Sequence, residues 1–318
     1  MSFPRLVPRI LIIAVLGAAQ VSDAAETVAT AVKSRIGNGY QRTRLKDGSF
    51  MPEFYALSNG GRLAGTTSDV TVDRVTYPEV AAIAMKLLAQ QNYNYAWSRE
   101  EAKLLLVLQW GNTIAFDRTT YDITLGAAAA ALKDFAPEMR NGFGSTRGGG
   151  DIAPPAGGGS AADAKDRLDS ALIQLGGLNM MRDQKNLRNA RVLGYLDDIN
   201  DVDDIRRYAG GGDRYTDLIT DVEEARYYIV ISAYDFREVT ERNKKKLLWQ
   251  TRVSVRSPGN RFDDSFVAML KSASKYFGQD SGPLIRGEES KGTVELDELK
   301  FLGEEKKMAP STPGNSEK

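Results

Sequence analysis

The 318-residue chain has no histidine and no cysteine. Without cysteine there is no disulfide, no thiolate metal site, no cysteine nucleophile and no lipidated cysteine behind an export signal. Without histidine the Ser-His-Asp triad, histidine-held zinc and the usual proton shuttle of neutral pH are all excluded. Catalysis would have to rest on carboxylates, Lys, Tyr, Ser or Thr. Neither charge is in excess, since Lys+Arg and Asp+Glu both number 42. A general nucleic-acid binder needs a basic face to neutralise phosphates, so no nucleic acid is expected as a partner.

What the chain does hold is 42% hydrophobic residues, enough to bury one or two cores. Arg5 and Arg9 flank the start of an apolar run at 10–19, and Ser22-Asp23-Ala24 supplies a small-x-small cleavage site. Residues 1–24 therefore read as a signal peptide. The run is shorter than the roughly 20 residues a bilayer needs, so no stable transmembrane span is expected after signal removal. The protein is expected to be exported, to the periplasm or the extracellular space. Residues 25–49 are weakly patterned and read as a flexible lead-in, 50–302 as a single domain, and the charged, Pro/Ser-rich 303–318 as a disordered tail.

The organising stretch is 104–113, L-L-L-V-L-Q-W-G-N-T. Five consecutive large apolar residues fit a strand covered on both sides. Before it, Phe54 to Leu57 form a first strand, and Thr76-Tyr77-Pro78-Glu79 opens a helix through a capping box. Val80, Ile83, Ala84, Leu87 and Leu88 then mark one apolar stripe. Strand, helix and strand at this spacing read as a βαβ crossover. An alanine-rich helix at 126–137 leads to a Gly/Pro-rich loop at 142–160. Two helical patterns follow, around Leu168 to Leu175 and around Val192 to Leu196. Residues 225–233 and 247–255 return to strand composition and read as a late hairpin, its second strand near an edge. A last helix carries Phe262, Phe266, Met269, Leu270, Ala273 and Phe277 on one stripe. The fold class is α+β: a mixed sheet, helices packed mainly on one face, and an inserted helical segment.

Several stretches together resemble a family of exported bacterial proteins of unknown function. They are Q-W-G-N-T at 109–113, A-R-Y-Y-I-V-I-S-A-Y-D-F at 225–236, K-K-L-L-W-Q-T-R-V-S-V at 245–255 and F-V-A-M-L-K-S-A-S-K-Y-F-G at 266–278. The chain is more loosely similar to exported domain-of-unknown-function lipoproteins, from which it departs by lacking the lipidated cysteine. The resemblance implies location and architecture, and brings no chemistry.

Motifs that carry chemistry are incomplete. Gly142-x-Gly144 follows a helix and enters a Pro-Pro tract, where a dinucleotide loop must follow a strand and open a helix. Ser272-x-x-Lys275 matches the start of a serine acyl-enzyme motif but lacks its K-T-G companion. Lys244, Lys245 and Lys246 read as solvated turn residues. The acidic run containing Asp197, Asp198, Asp201 and Asp203 could gather oxygens around calcium or magnesium, though its order departs from an EF loop. Ligands of open α/β sheets gather beyond strand carboxyl ends, which singles out Gln109, Trp110, Asn112 and Thr113 as ligand-binding candidates. No paired acid and base is visible. The leading expectation is a non-enzymatic cell-envelope protein that binds an envelope protein or a ligand. The alternatives are a carboxylate-based, divalent-cation-dependent hydrolase and a purely structural envelope component.

Overall fold

The computed structural model describes residues 26–62, 68–144, 161–201 and 212–291. The signal segment at 1–24, most of the Gly/Pro-rich loop, Asp203 and the charged tail lie outside them. Seven strands form one mixed sheet: β1 (Thr27–Ile36), β2 (Glu53–Asn59), β3 (Tyr93–Tyr95), β4 (Leu104–Asn112), β5 (Arg226–Asp235), β6 (Leu247–Arg256) and β7 (Ile285–Ser290). Their order is β3-β2-β4-β5-β6-β1-β7. β4 runs parallel to β2 and antiparallel to β5, so the βαβ unit and the late hairpin share the apolar strand between them.

Helices α1 (Val70–Arg74), α2 (Tyr77–Ala89) and α7 (Phe262–Ser274) pack on one face, over the larger core. The α2 start forms as the sequence predicts, the Thr76 N–H donating to the Glu79 carboxylate at 2.7 Å. Leu104, Leu106, Leu108 and Trp110 point into this core with Ile229, Ile231, Trp249 and Val253. Strand alternation turns Leu105 and Val107 to the second face, where they are half-buried. The run is therefore closed over on one side only, contrary to the expectation of two. On that second face a smaller core joins Ala31, Tyr228 and Val230 to the inner end of α4 (Ala161–Leu193) and to α5 (Gly212–Glu223). α6 (Phe236–Arg242) fills the connection between β5 and β6.

Two expectations need correction. Residues 25–49 are not a flexible lead-in through their length, because β1 pairs with β6 (Val32↔Val253) and with β7 (Val32↔Ile285). Val28, Thr30, Val32 and Ser34 face one side in period two, and the pattern is faint because alanines and a lysine fill the other. For the same reason β6 is an interior strand: the neighbour that covers its outer edge lies more than 200 residues earlier.

The inserted segment is a helical hairpin of α3 (Arg118–Gly144) and α4. The first helical pattern after the loop and Val192-Leu193 of the second belong to one continuous helix, which ends before Gly194 at φ 80°, and Leu196 lies beyond that break. The hairpin's seam follows a strict 3-4 spacing: Tyr121, Thr124, Ala128, Ala131 and Phe135 on α3 are shielded, as are Ala164, Leu168, Ala171, Leu175, Leu178, Arg182 and Lys185 on α4. Their neighbours on the outer faces are mostly exposed. That is the heptad rhythm of an antiparallel coiled coil, with alanine where the helices come closest. Gly176 and Gly177 lie in the middle of α4, each at a cost of roughly 1 kcal/mol relative to alanine. A Cβ at either would meet nothing within 4 Å.

Candidate functional site

The polar end of β4 meets the root of the hairpin. Trp110 is 5% exposed and packs into the larger core, where its indole N–H has no hydrogen-bond partner among the described residues. Gln109 is half-buried on the second face and donates to the Gly60 carbonyl at 3.4 Å. Gly111 lies under Tyr228, whose hydroxyl would be 2.7 Å from a Cβ there, so the missing side chain is what seats that ring. Thr113 is buried. Its hydroxyl accepts from the Arg226 N–H at 2.9 Å and donates to the Glu224 carbonyl at 3.3 Å. It fastens the strand exit to the entry of β5.

Asn112, Thr113, Ile114, Arg188, Asn189, Val192 and Tyr228 line a cavity of about 10 Å³. That is room for one water molecule, against the roughly 300–1,000 Å³ of a small-molecule pocket. The Asn189 amide donates at 2.8 Å to the carbonyls of both Ile114 and Val222, tying α4 to the strand exit and to α5. This corner is a joint between hairpin and sheet.

The joint's electrostatic centre is Glu223, 5% exposed at the end of α5. Its carboxylate accepts from Arg182, from Arg118 at 3.1 Å and from Asn186 at 3.2 Å. The Arg182 guanidinium also lies 5.5 Å from the ring centres of both Phe116 and Tyr121. Burial opposes ionisation of Glu223, but the donors from Arg182, Asn186 and Arg118 outweigh it and hold the carboxyl below the usual glutamate range. A carboxylate with a depressed folded-state pKa contributes stability that is present above its unfolded value and lost as pH falls through the folded one. Acid titration of the protein is thus expected to loosen the hairpin root only below the ordinary glutamate value near 4.5. Amide exchange of α3 and α5 as a function of pH checks this, and Glu223→Gln should abolish that step.

The described residues of the acidic run, Asp197, Asp198 and Asp201, do not converge. Asp198 turns inward to the Lys33 ammonium at 2.6 Å and to Arg214 at 3.5 Å, and accepts the Leu284 N–H at 3.1 Å. Asp197 turns outward, 3.9 Å from Arg35, and Asp201 is exposed. Among the described residues no three Asp or Glu gather where a metal ion could be held. Ser272 is hydrogen-bonded to Thr30 at 2.8 Å while Lys275 pairs with Glu289 at 2.8 Å, so the two do not meet.

Sequence reasoning missed the most unusual surface. Residues 123–132 of α3 and 170–181 of α4 carry no charge at all. They lie side by side, with Tyr121 beside Arg182 at one end and Ala131 clustered with Leu168 at the other. Around this belt Ile123, Leu125, Leu132, Leu172, Ile173, Met180 and Met181 are all exposed, Ile173 by 75%. The signal was available as a dozen uncharged residues inside a helix that the seam alone does not require.

No family model and no curated protein matches the chain. Among solved structures it is similar to a PDZ domain protein from Parabacteroides distasonis, at 7% identity and a TM-score of 0.32. That match covers 83% of this chain and 39% of the other.

Proposed function

We propose that this is an exported, non-enzymatic cell-envelope protein whose working surface is the α3–α4 hairpin, on which it holds a protein partner. The observation that carries the reading is the charge-free, apolar belt around the middle of the hairpin. Charge depletion with methionine enrichment marks the core of protein interfaces, whereas single exposed apolar residues are ordinary. Seven large apolar residues exposed on one uncharged stretch of a helical pair are the kind of surface that marks an interaction site. The sheet supplies a rigid base, and the Glu223 joint fixes the hairpin to it. Export rests on the basic start, short apolar run and small-x-small site of residues 1–24. No helix among the described residues is long and apolar enough to cross a membrane.

Photo-crosslinking amino acids placed at Leu132, at Met181 and at the exposed Lys245 test the reading in cells that express the protein. Adducts of discrete mass are expected from the two hairpin positions and none from Lys245. Hairpin positions that give no adduct, or no more than Lys245 gives, would remove the hairpin as the working surface.

A further inference from the structure

Resting on that reading, we infer that the partner is a second copy of this chain, docked α4 against α4 in antiparallel fashion about a two-fold axis. The outer face of α4, opposite α3, repeats the seam's spacing at Ile173, Gly177, Met180, Gln184 and Leu187. Ile173 is 75% exposed and Met180 65%. About the glycine pair this second stripe is symmetric at Ile173 and Met180, while Gln184 and Leu187 fall opposite Asp169 and Asp166. Gly176-Gly177 sits within the uncharged tract 170–181, with Leu172 and Ile173 four and three residues before the pair and Met180 and Met181 three and four residues after it.

A two-fold contact is isologous, so residue i of one copy meets j of the other and j meets i. An axis between Gly176 and Gly177 sets Ile173 of each copy against Met180 of the other and brings glycine to glycine. Among the described residues a Cβ at either glycine would meet nothing within 4 Å, and neither has a positive φ. Their smallness is unused inside the monomer and is what a closely crossing second helix requires.

The area fits a modest association. Leu172, Ile173, Met180 and Met181 are 52–75% exposed. Together they offer roughly 250–400 Å² of apolar surface per copy. Tight complexes bury about 800 Å² a side, somewhat over half of it apolar. The expected dimer is therefore weak and concentration-dependent. A lipid surface is a poorer occupant, since twelve uncharged residues span only about 18 Å of helix against about 30 Å of hydrocarbon.

Sedimentation velocity of the full chain tests this, with two charged variants. Ile173→Asp/Met180→Asp and Ile173→Lys/Met180→Lys are each expected to be monomeric at concentrations where the parent is dimeric, and their mixture is expected to restore the dimer. Both positions are solvent-exposed, so melting temperatures should match the parent's. A second readout is Ile173→Cys/Met180→Cys in this cysteine-free chain. One helix holds those positions about 10 Å apart, beyond disulfide reach, so a disulfide there must join two copies. A covalent dimer is expected on oxidation, and none from Lys245→Cys. A parent that stays monomeric at several hundred micromolar, variants that dimerise like the parent, or a mixture that does not recover would each overturn the inference. If self-pairing fails while Met181 still crosslinks to a different protein, the hairpin reading stands and only the second copy falls. If neither occurs, both fall.

Discussion

Asp198→Ala is expected to lower the unfolding free energy by about 3–5 kcal/mol, the usual cost of leaving one partner of a buried ion pair without the other. The Lys33 and Asp198 side chains are 9% and 4% exposed and 2.6 Å apart. The lysine keeps one further acceptor, the Gly282 carbonyl at 2.8 Å, which does not neutralise it. Removing the carboxylate also orphans the Leu284 N–H and releases Arg214, so α5 and the approach to β7 loosen with it. The double variant Lys33→Met/Asp198→Leu should recover most of the loss, because two apolar side chains of similar bulk bury no charge. Urea denaturation of the two variants measures the difference, with an unchanged m-value showing that the same cooperative unit unfolds. The experiment also bears on the acidic run: added calcium or magnesium should not raise the parent's midpoint, because Asp198 is already committed to lysine.

Trp249→Ala should be comparably severe, at about 3–5 kcal/mol, with no charge involved. Trp249 is fully buried in β6, stacked against Phe277 with ring centres 5.8 Å apart and tilted against Tyr93 at 5.8 Å. It links the turn after α7, the β3 edge and the middle of the sheet, so its loss leaves a cavity where the three meet. Trp249→Phe should keep about half of the stability, since it retains a ring in the stack. Near-ultraviolet circular dichroism and the denaturation midpoint together check both. A Trp249→Ala protein of near-parental stability would mean that the three-ring stack is not the keystone of the larger core.

Much of the fold was legible because local signals and burial agree there. The Thr76–Glu79 cap, the stripe of α2, the β-branched composition of β5 and the Phe-rich stripe of α7 each specify their element without help from distant chain. The polar end of β4 stands out in the sequence as a candidate place for ligand recognition. The fate of its residues was not legible there. Alternation puts Trp110 on the same face as Leu104, Leu106 and Leu108. Only the packing of α1, α2 and α7 decides that this is the covered face. Glu223 and Arg182 are 41 residues apart, and nothing in either neighbourhood announces that one carboxylate will hold two arginines.

The sequence by itself determined that this chain cannot use histidine or cysteine chemistry, that it builds an α+β domain, and that one stretch of α4 is free of charge. Tertiary structure alone decided that residues 27–36 pair between β6 and β7, that Asp198 faces the Lys33 ammonium, and which side of α4 is left bare. The reason is one of range. Propensity, capping and periodicity act over a few residues, whereas the burial of a lysine or the covering of a strand edge depends on chain more than a hundred positions away.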